Sequence, residues 1–531
     1  MTAPSMSDQV HSGLKIGAVK LPRRFRPAYL VLIILIAGAA LRFWTIGAGA
    51  PYEIGVDEPV IMATAVRMIK TGDFNITFYD YGGLTYYLQA AVASSRFLVG
   101  AMNREWTSLQ DVWEGDFYVW ARATTALLGT LTIVLVYRTG LRLGAAAALF
   151  AALAMALQPQ HVRESHFALT DVPMTFFVVL TLVQSLSASQ NPRPIEFLLA
   201  GIATGLAAAT KYNAALAIVM PLCALSQVKA IRLFAASSAA LLGGAAIGFV
   251  AGAPYTILDL PGFLNGFARL LGFYNLEAPW TEGAGVYWSF IVQWSGWPGV
   301  LWRIVALPAL LICFYGAWVI AWEVRDGEKR ARSLILLVFP VVYFWFIAGQ
   351  SLRFGRYALP LAPFLCLWFG VGAARLVSFL SGPGALPRRT WTAAGLIVLI
   401  LTPALGASLA FNARRLTPST SEQAARWLVT QVKPGEAIAV EGRAYLQVPP
   451  KQITTQRVNR LTDQTLDFYR SKGVVYLVAS SGEYEGFLSN PQRDPGIAAA
   501  YSDLFRSTET VQVFRSANPN LWPTIRILRI N

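Results

Sequence analysis

The sequence predicts a polytopic α-helical membrane protein that ends in a small α/β domain. Of its 531 residues, 55% are hydrophobic and only 14% are charged, whereas soluble domains carry about a quarter charged residues. Long apolar segments recur from Pro27 onwards, and after about Phe411 the pattern changes to alternating helix and strand signals. The basic residues behind the net charge of +15 lie in short clusters between apolar segments. Because no basic soluble module is present, we exclude nucleic acid as a partner.

Hydropathy predicts about eleven membrane spans with an uncleaved first segment, which is too long for a signal peptide. The loops predicted to face the cytoplasm are basic, as the positive-inside rule requires. We therefore predict a cytoplasmic tail over residues 1–27, a location in the cell membrane and an extracytoplasmic C-terminus. The predicted spans lie near residues 28–46, 118–138, 144–158, 172–188, 195–210, 212–227, 233–251, 300–322, 333–348, 357–378 and 391–410.

The first predicted outer loop, residues 47–116, carries an adjacent carboxylate pair, Asp57 and Glu58, directly before Pro59. Ionised side chains beside a membrane span are costly and tend to mark functional sites. The alternative is that the pair caps a helix from Pro59 to about Lys70, where carboxylates accept hydrogen bonds from unpaired N–H groups. Capping and catalysis are compatible, and we predict that the pair is catalytic.

The same loop contains an apolar stretch from Leu84 to Val99. Counting this stretch as a span would place the basic loops that follow on the outer side and reverse the charge rule. We therefore predict a helix that lies on the outer membrane surface or is tucked into the bundle.

The second predicted outer loop, which runs to the start of the fourth span, is crowded with ionisable residues. Two of these residues, His161 and His166, are five positions apart and do not share a helical face, so their spacing does not match a helical metal motif. Asp171 opens the following span, where a simple N-cap is the alternative to a site role. The ionisable residues of this loop are His161, Arg163, Glu164, His166 and Asp171.

Three cations lie at the predicted outer ends of later spans. Lys211 follows the fifth span, and Arg353 and Arg356 follow the ninth, next to Tyr357. Positive charge on the outer side runs against the usual bias, and arginine forks suit phosphate oxygens. For Lys211 the alternative is a lysine that snorkels to the interface. We predict that these residues bind an anion.

The last segment, residues 411–531, is predicted to form an extracytoplasmic α/β domain. We expect a helix from Ser421 to Val432. The expected strands are Ala437 to Glu441, Val474 to Ala479 and a closing strand from Ile525 to Ile530.

An ordered set of motifs carries a resemblance to a known family. After the Asp-Glu pair, Arg-Ala-Thr-Thr-Ala-Leu-Leu-Gly-Thr-Leu (122–131) opens a span, and His-Val-Arg-Glu-Ser-His-Phe-Ala-Leu-Thr-Asp (161–171) leads into the next. Thr-Lys-Tyr (210–212) and Arg-Tyr-Ala-Leu-Pro (356–360) follow. This order resembles the polyprenyl-phosphate-dependent glycosyltransferases of the GT-C fold, in particular the protein O-mannosyltransferase and aminoarabinose lipid A transferase group (family 39). The likeness spans roughly residues 28–380.

The resemblance implies a catalytic membrane domain over residues 28–410 and an inverting transfer on the extracytoplasmic face. A hexose or pentose would move from a polyprenyl monophosphate to a hydroxyl acceptor. Asp57 would be the base, Glu58 its acidic companion and Asp171 the family's second-loop aspartate. Whether a divalent metal ion takes part is left open.

One motif departs from the family pattern. Asp80-Tyr81-Gly82-Gly83 lies where many members carry His or Glu followed by Lys/Pro-Pro. A lysine–phosphate contact or a metal ligand from that motif is therefore not carried over. Asp80 and Tyr81, together with His161, Arg163 and His166 of the second loop, are predicted to line the site.

Two other functions remain open from the sequence. A membrane transporter would suit the many spans, but no inverted repeat and no charge in the middle of a span is evident. A non-catalytic protein that binds a polyprenyl lipid would tolerate replacement of Asp57.

Overall fold

The computed structural model describes residues 27–53, 55, 57–274, 279–292, 300–382, 387–516 and 522–530. The predicted cytoplasmic tail lies outside these residues, apart from residue 27. The chain folds into two compact units that draw on alternating stretches. The first unit comprises Met1–Trp44, Asn75–Tyr87 and Thr124–Phe411, and the second comprises Thr45–Phe74, Leu88–Ala123 and Asn412–Asn531.

Helices dominate the described part of the chain. In chain order they are α1 Pro27–Phe43, α2 Glu58–Thr71, α3 Gly83–Met102, α4 Tyr118–Leu141, α5 Ala145–Leu157, α6 Pro159–Glu164, α7 Asp171–Gln190, α8 Pro194–Thr210, α9 Val219–Leu225, α10 Ile231–Gly252, α11 Tyr255–Leu258, α12 Leu260–Phe273, α13 Trp280–Val292, α14 Val300–Trp322, α15 Arg330–Ala348, α16 Ala362–Ser381, α17 Pro387–Ile400, α18 Thr402–Arg414, α19 Thr420–Gln431, α20 Leu466–Ser471, α21 Ser481–Leu488 and α22 Pro495–Ser507.

Six helices of the described chain are long and apolar enough to cross a membrane. The pair α17 and α18, which is bent by 42°, adds a seventh if the two form one broken span. Each predicted span coincides with one of these helices or with a shorter apolar one, and how many of the shorter ones cross stays a prediction. The shorter apolar helices are Ala28–Phe43, Ala145–Leu157, Pro194–Thr210 and Tyr212–Leu225.

In the first unit, α8 and α10 pack backbone against backbone. A Cβ atom added at Gly201 or Gly205 of α8 would overlap a carbonyl oxygen of α10, and one added at Gly244 or Gly248 of α10 would overlap a carbonyl oxygen of α8. Small residues allow this approach between apolar helices, where lipid gives little hydrophobic reason to associate. The contact fixes the position of the end of α8, and Lys211 directly follows that end.

The second unit contains a five-stranded sheet with the order β2-β1-β3-β5-β4. The pairs β1–β2 and β1–β3 are parallel, and β5 pairs antiparallel with both β3 and β4. Alternate residues of the central strands enter two separate apolar cores, so both faces of the sheet are covered. The strands are β1 Ala437–Glu441, β2 Thr454–Val458, β3 Val474–Ser480, β4 Glu509–Phe514 and β5 Ile525–Arg529.

The predicted α/β segment is confirmed in its buried elements. The strand Ala437–Glu441 has the predicted bounds, and the other two predicted strands agree to within one residue. The strands β2 and β4 were not predicted because they lie at the sheet edges and mix polar with apolar residues. The apolar stretch in the first loop forms α3, and its position relative to a membrane stays a prediction.

Candidate active site

A cluster of charges in the first unit forms where the ends of three segments meet. Asp171 begins α7 and is buried, and its Oδ1 accepts a hydrogen bond from Lys211 Nζ at 2.8 Å. Arg356 Nε lies 3.5 Å from the other carboxylate oxygen. Lys211 directly follows α8, and Arg356 belongs to a short 3₁₀ turn, Gly355–Leu361. The predicted residues Asp171, Lys211 and Arg356 are therefore brought together.

Aromatic rings and hydroxyl groups hold the two cations of this cluster. Lys211 Nζ lies 4.2 Å from the ring centre of Tyr357, within the range of a cation–π contact. The Tyr357 hydroxyl is hydrogen-bonded to the hydroxyl of Tyr274 at 2.7 Å. Tyr343 donates to the backbone oxygen of Tyr357 at 3.1 Å, which fixes the turn that carries Arg356.

A second carboxyl group belongs to the same loop as Asp171. Glu164 is buried, and Arg163 Nε lies 3.8 Å from it, with the Arg163 side chain mostly exposed. Burial raises the pKa of Glu164, Arg163 opposes that rise, the charge of Asp171 adds to it, and Arg356 and Lys211 oppose it. Lys211 and Arg356 both face the Asp171 carboxylate, so two cations share this one carboxylate.

The carboxylate pair of the first loop lies in the second unit, and its two members differ. Both oxygens of Glu58 are engaged, because Arg122 donates from Nε at 2.9 Å and from Nη2 at 2.8 Å, and the Gly55 N–H donates at 2.8 Å. Glu58 and Arg122 are fully buried. Arg122 also donates to the backbone oxygens of Ala48 and Glu53. Glu58 is thus an anchor for this loop, a role that leaves it poorly suited to accept a further proton.

Asp57 occupies the N-cap position of α2, and Pro59 is in the first turn. Within this described turn, the Asp57 side chain makes no capping hydrogen bond to the helix N–H groups. The side chain is half-buried. The capping alternative therefore does not account for the Asp57 carboxylate.

The motif Asp80-Tyr81-Gly82-Gly83 lies in the first unit, and close packing explains the glycine at position 82. A Cβ atom at Gly82 would overlap the backbone oxygen of Ala209, next to the end of α8. Tyr212 donates to the backbone oxygen of Tyr81 at 3.2 Å, and Asp80 pairs with Arg269 at 2.9 Å. Gly82 therefore has no room for a side chain, because its backbone packs against the end of α8.

The two arginines predicted as an anion site have different surroundings. Arg353 Nη1 lies 3.2 Å from Glu282, and its other nitrogens donate to the backbone oxygens of Gln350 and Pro279. Arg356 instead faces Asp171. The structure thus places Arg356 in the charge cluster and ties Arg353 to the first turn of α13 and to Pro279 just before it.

The predicted site-lining histidines contact the backbone and the first helix. His161 is buried with Nδ1 3.1 Å from Arg42 Nη2, and burial, followed by Arg42, lowers the pKa of His161. The His166 nitrogens lie 2.8 Å from the backbone oxygens of Val162 and Trp44. These contacts hold the second loop against the end of α1. Within the described residues, no group of three or more His, Cys, Asp or Glu side chains is arranged to hold a metal ion.

Some residues of these clusters were not among the predicted site residues. The sequence could have indicated Arg122, because it is a lone cation at the start of the apolar span that follows the carboxylate pair. Tyr274 and Tyr343 carried no signal, because aromatic residues near span ends are common in membrane proteins. Glu164 looked like any charged loop residue, and only the structure shows that it is buried.

Comparison with known proteins gives one family segment and a fold. Residues 78–259 match the family model for dolichyl-phosphate-mannose-protein mannosyltransferases. This segment contains Asp171 and Lys211, whereas Asp57 and Glu58 precede it and Arg356 follows it. No curated protein sequence shows a significant match.

Two solved structures show the fold. ArnT from Cupriavidus metallidurans, bound to undecaprenyl phosphate, matches with a TM-score of 0.57 and 15% identity over 94% of this chain and 97% of that chain. The oligosaccharyltransferase AglB from Archaeoglobus fulgidus, in complex with an inhibitory peptide and a dolichol-phosphate, matches with a TM-score of 0.56 and 13% identity over 88% of this chain and 70% of that chain. The predicted GT-C membrane fold and the resemblance to glycosyltransferases that use lipid-linked donors are confirmed.

Proposed function

We propose that the chain transfers a hexose or pentose from a polyprenyl monophosphate to a hydroxyl acceptor on the extracytoplasmic face of the cell membrane. The observation that carries this proposal is the cluster of Asp171, Lys211 and Arg356, in which two cations share one carboxylate. The phosphate of the lipid would face both Lys211 and Arg356, which are the two cations of this cluster. Both solved structures named above contain a polyprenyl phosphate, which supports this type of ligand.

The two cations would act on the leaving group. As the acceptor oxygen forms its bond to the anomeric carbon, the bond from that carbon to the phosphate oxygen breaks, and the phosphate gains negative charge. Lys211 and Arg356 stabilise that developing charge in a buried site, where charge interactions are stronger than in water. Asp171 keeps the cations in place before the donor arrives. Attack from the face opposite the phosphate inverts the anomeric centre.

The acceptor hydroxyl needs a base, and we assign that role to Asp57. Glu58 already accepts hydrogen bonds on both oxygens from Arg122 and Gly55, so it positions the loop instead. The Asp57 carboxylate is not used to cap α2. The proton of the acceptor would pass to Asp57 as the sugar bond forms, which is general base catalysis.

The proposed orientation has the N-terminus in the cytoplasm and residues 411–531 outside, because the loops assigned to the inner side are basic. The catalytic domain would then extend over residues 28–410.

The phosphate site is tested by binding of undecaprenyl phosphate, the lipid bound in the ArnT structure, to the full chain in nanodiscs. Arg356→Gln and Lys211→Gln should each weaken binding by about tenfold or more, since a charge-assisted hydrogen bond contributes about 1.5–3 kcal/mol. Arg353→Gln is the matched control from the same loop and should change binding less than about twofold. Equal losses in Arg353→Gln and Arg356→Gln would show that the charge cluster is not the phosphate site.

A second candidate, a non-catalytic polyprenyl-lipid-binding protein, would use the same charge cluster. The two are separated by transfer from polyprenyl-phosphate hexoses and pentoses to a hydroxyl acceptor. Binding of undecaprenyl phosphate without any transfer across such a donor panel would favour the lipid-binding function.

A further inference from the structure

A cavity of about 420 Å³ lies within the second unit, away from its buried ion pair. It opens between the first-loop residues 106–116 and residues 449–452, just before β2. Its volume falls in the roughly 300–1,000 Å³ range of small-molecule sites. Its walls combine planar apolar surfaces with amide groups, contributed by Trp106, Gln110, Trp113, Pro450 and Gln452.

The walls of the cavity are held in place by contacts outside it. Trp106 stacks on Phe97 with ring centres 6.1 Å apart and planes 6° apart, and the Arg96 guanidinium lies 4.5 Å from its ring centre. Trp113 packs against Gly115, where a Cβ atom would overlap the indole ring. A rigid wall loses little conformational entropy when a ligand binds.

The polar groups of the cavity are balanced in charge. Asp111 pairs with Lys451 at 3.0 Å, and this contact is the largest cause that lowers the pKa of Asp111 to about 2. Lys70 donates to the backbone oxygen of Val112 at 2.7 Å, and Asp116 accepts from the Trp113 N–H at 2.9 Å. Two cations therefore face two carboxylates, and each cation already has an acceptor. A phosphate or another anion would meet no surplus positive charge here.

The remaining chemistry fits an uncharged ring with many hydroxyl groups. The amides of Gln110 and Gln452 offer both donors and acceptors, and carboxylate oxygens accept from hydroxyls. Indole and proline surfaces match the C–H faces of a sugar ring, which amphipathic aromatic residues contact through their apolar bodies. A lipid tail would leave these polar walls unpaired, which is costly.

We propose that this cavity binds one or two neutral sugar units of the acceptor, which makes the acceptor a glycan or a molecule that carries one. The role of the bound sugar as an acceptor rests on the proposed glycosyl transfer, whereas sugar binding to the cavity does not depend on transfer. The first loop and the segment before β2 would together select acceptors by their sugar, while Asp57 in the same unit would act on one hydroxyl.

The test measures sugar binding to the full chain in nanodiscs by saturation-transfer NMR and calorimetry, with cellobiose, chitobiose and mannobiose as probes. At least one probe should bind saturably to the wild type, and inorganic phosphate should not compete. Gln110→Leu and Gln452→Leu should each weaken binding by about two- to tenfold, as expected for a lost neutral hydrogen bond. Gln431→Leu, an exposed glutamine at the end of α19 that does not line the cavity, is the matched control and should bind like the wild type.

The outcomes distinguish the cavity from the transfer reaction. Sugar binding that survives while no transfer is found with any donor would leave the cavity proposal standing and overturn the proposed function. Absence of saturable binding to all three probes, or equal losses in Gln110→Leu and Gln431→Leu, would overturn the cavity proposal even if transfer is observed.

Discussion

The described residues include a buried ion pair in each unit, and the two are built differently. Glu58 and Arg122 in the second unit form a closed pair with one charge of each sign, in which Arg122 and a backbone N–H donate to the carboxylate oxygens. Asp171 in the first unit shares its oxygens between Lys211 and Arg356, next to tyrosine hydroxyls, and we call these three residues the open cluster. We predict that the closed pair holds structure and that the open cluster, with two cations on one carboxylate, binds a ligand.

The difference teaches how to assign roles to charged residues that look alike in a sequence. Burial alone does not separate the two clusters, because Glu58 and Asp171 are both almost inaccessible to solvent. The number of cations that face each carboxylate does separate them, because Arg122 faces Glu58 whereas both Lys211 and Arg356 face Asp171. Four changes test whether this distinction holds.

The largest effect is expected for Asp57→Asn, which removes the proposed base beside the closed pair. Turnover should fall by about 10²–10⁴-fold, the usual contribution of general base catalysis. Undecaprenyl phosphate binding should be unchanged, because the proposed phosphate ligands are other residues. Asp73→Asn, an exposed carboxylate in the same loop that pairs with Arg67, is the control and should retain activity. Near-normal transfer by a folded Asp57→Asn protein would remove the assigned base.

The second change opens the closed pair. Glu58→Gln leaves Arg122 buried without its counter-charge, so the protein should lose about 3–5 kcal/mol of stability, as is usual when one partner of a buried pair is removed. Hydrogen exchange over residues 45–74 and 88–123 should increase. Replacing both residues by methionine should restore much of the loss, because a buried apolar pair avoids the cost of an unpaired charge.

The matched control for this change is the exposed pair formed by Arg67 and Asp73, whose loss should cost less than about 1 kcal/mol. A loss of similar size for Glu58→Gln would mean that Glu58 and Arg122 do not anchor the loop.

Another buried carboxylate sharpens the comparison, because it accepts hydrogen bonds from neutral groups. Glu441 at the end of β1 accepts from the N–H groups of Ser480 and Leu461 and from the Tyr501 hydroxyl. Burial raises the pKa of Glu441 from 4.5 to about 7. The folded state therefore holds a proton that the unfolded state has released between these values, and stability should fall as the pH rises from about 4.5 through about 7.

The size of this change should be about 3 kcal/mol over that pH interval, at about 1.4 kcal/mol for each pKa unit. Hydrogen exchange of β1 and β3 in the full chain reports it. The slope should vanish in Glu441→Gln and persist in Glu485→Gln, an exposed residue of α21. A pH slope that survives in Glu441→Gln would assign the titration to another group.

The smallest effect is expected for Asp171→Asn, which removes the internal partner of the open cluster. Lys211 and Arg356 then lose the Asp171 carboxylate, which would otherwise compete with the lipid phosphate for them, so undecaprenyl phosphate should bind about tenfold more tightly. The variant should also gain more thermal stability from the lipid than the wild type gains. Asp259→Asn, whose carboxylate is held by Asn75 and Tyr79, is the control and should bind the lipid normally. Weaker lipid binding to Asp171→Asn would contradict the open-cluster assignment.

The sequence predicted correctly those features that depend on a single segment of the chain. Apolar length located the helices, and a continuous apolar run located β1 with its bounds. Charge at the end of an apolar segment pointed to Asp171, Lys211 and Arg356. Each of these signals is local, because it depends on the cost of placing a residue type at the end of a span.

What the sequence could not supply depends on contacts between distant segments. Arg353 and Arg356 are three residues apart and carry the same charge, and only the fold shows that one faces Glu282 and the other Asp171. Glu58 looked like a second catalytic acid because its partner, Arg122, lies 64 residues away along the chain. The grouping of residues 45–74 and 88–123 with the C-terminal segment also depends on contacts between distant segments.

The glycine contact between α8 and α10 has a consequence for how the protein meets its membrane. The helix α8 has 17 residues, so it is about 25 Å long at a rise of 1.5 Å per residue, which is shorter than a hydrocarbon core of about 30 Å. Because its backbone touches that of α10, α8 is not free to slide along that helix. We predict that α8 crosses the membrane and holds Lys211 at a fixed depth, so that lipid headgroups reach it more readily in a thin bilayer than in a thick one. Binding of a lipid phosphate should then depend on bilayer thickness, which acyl chain length sets.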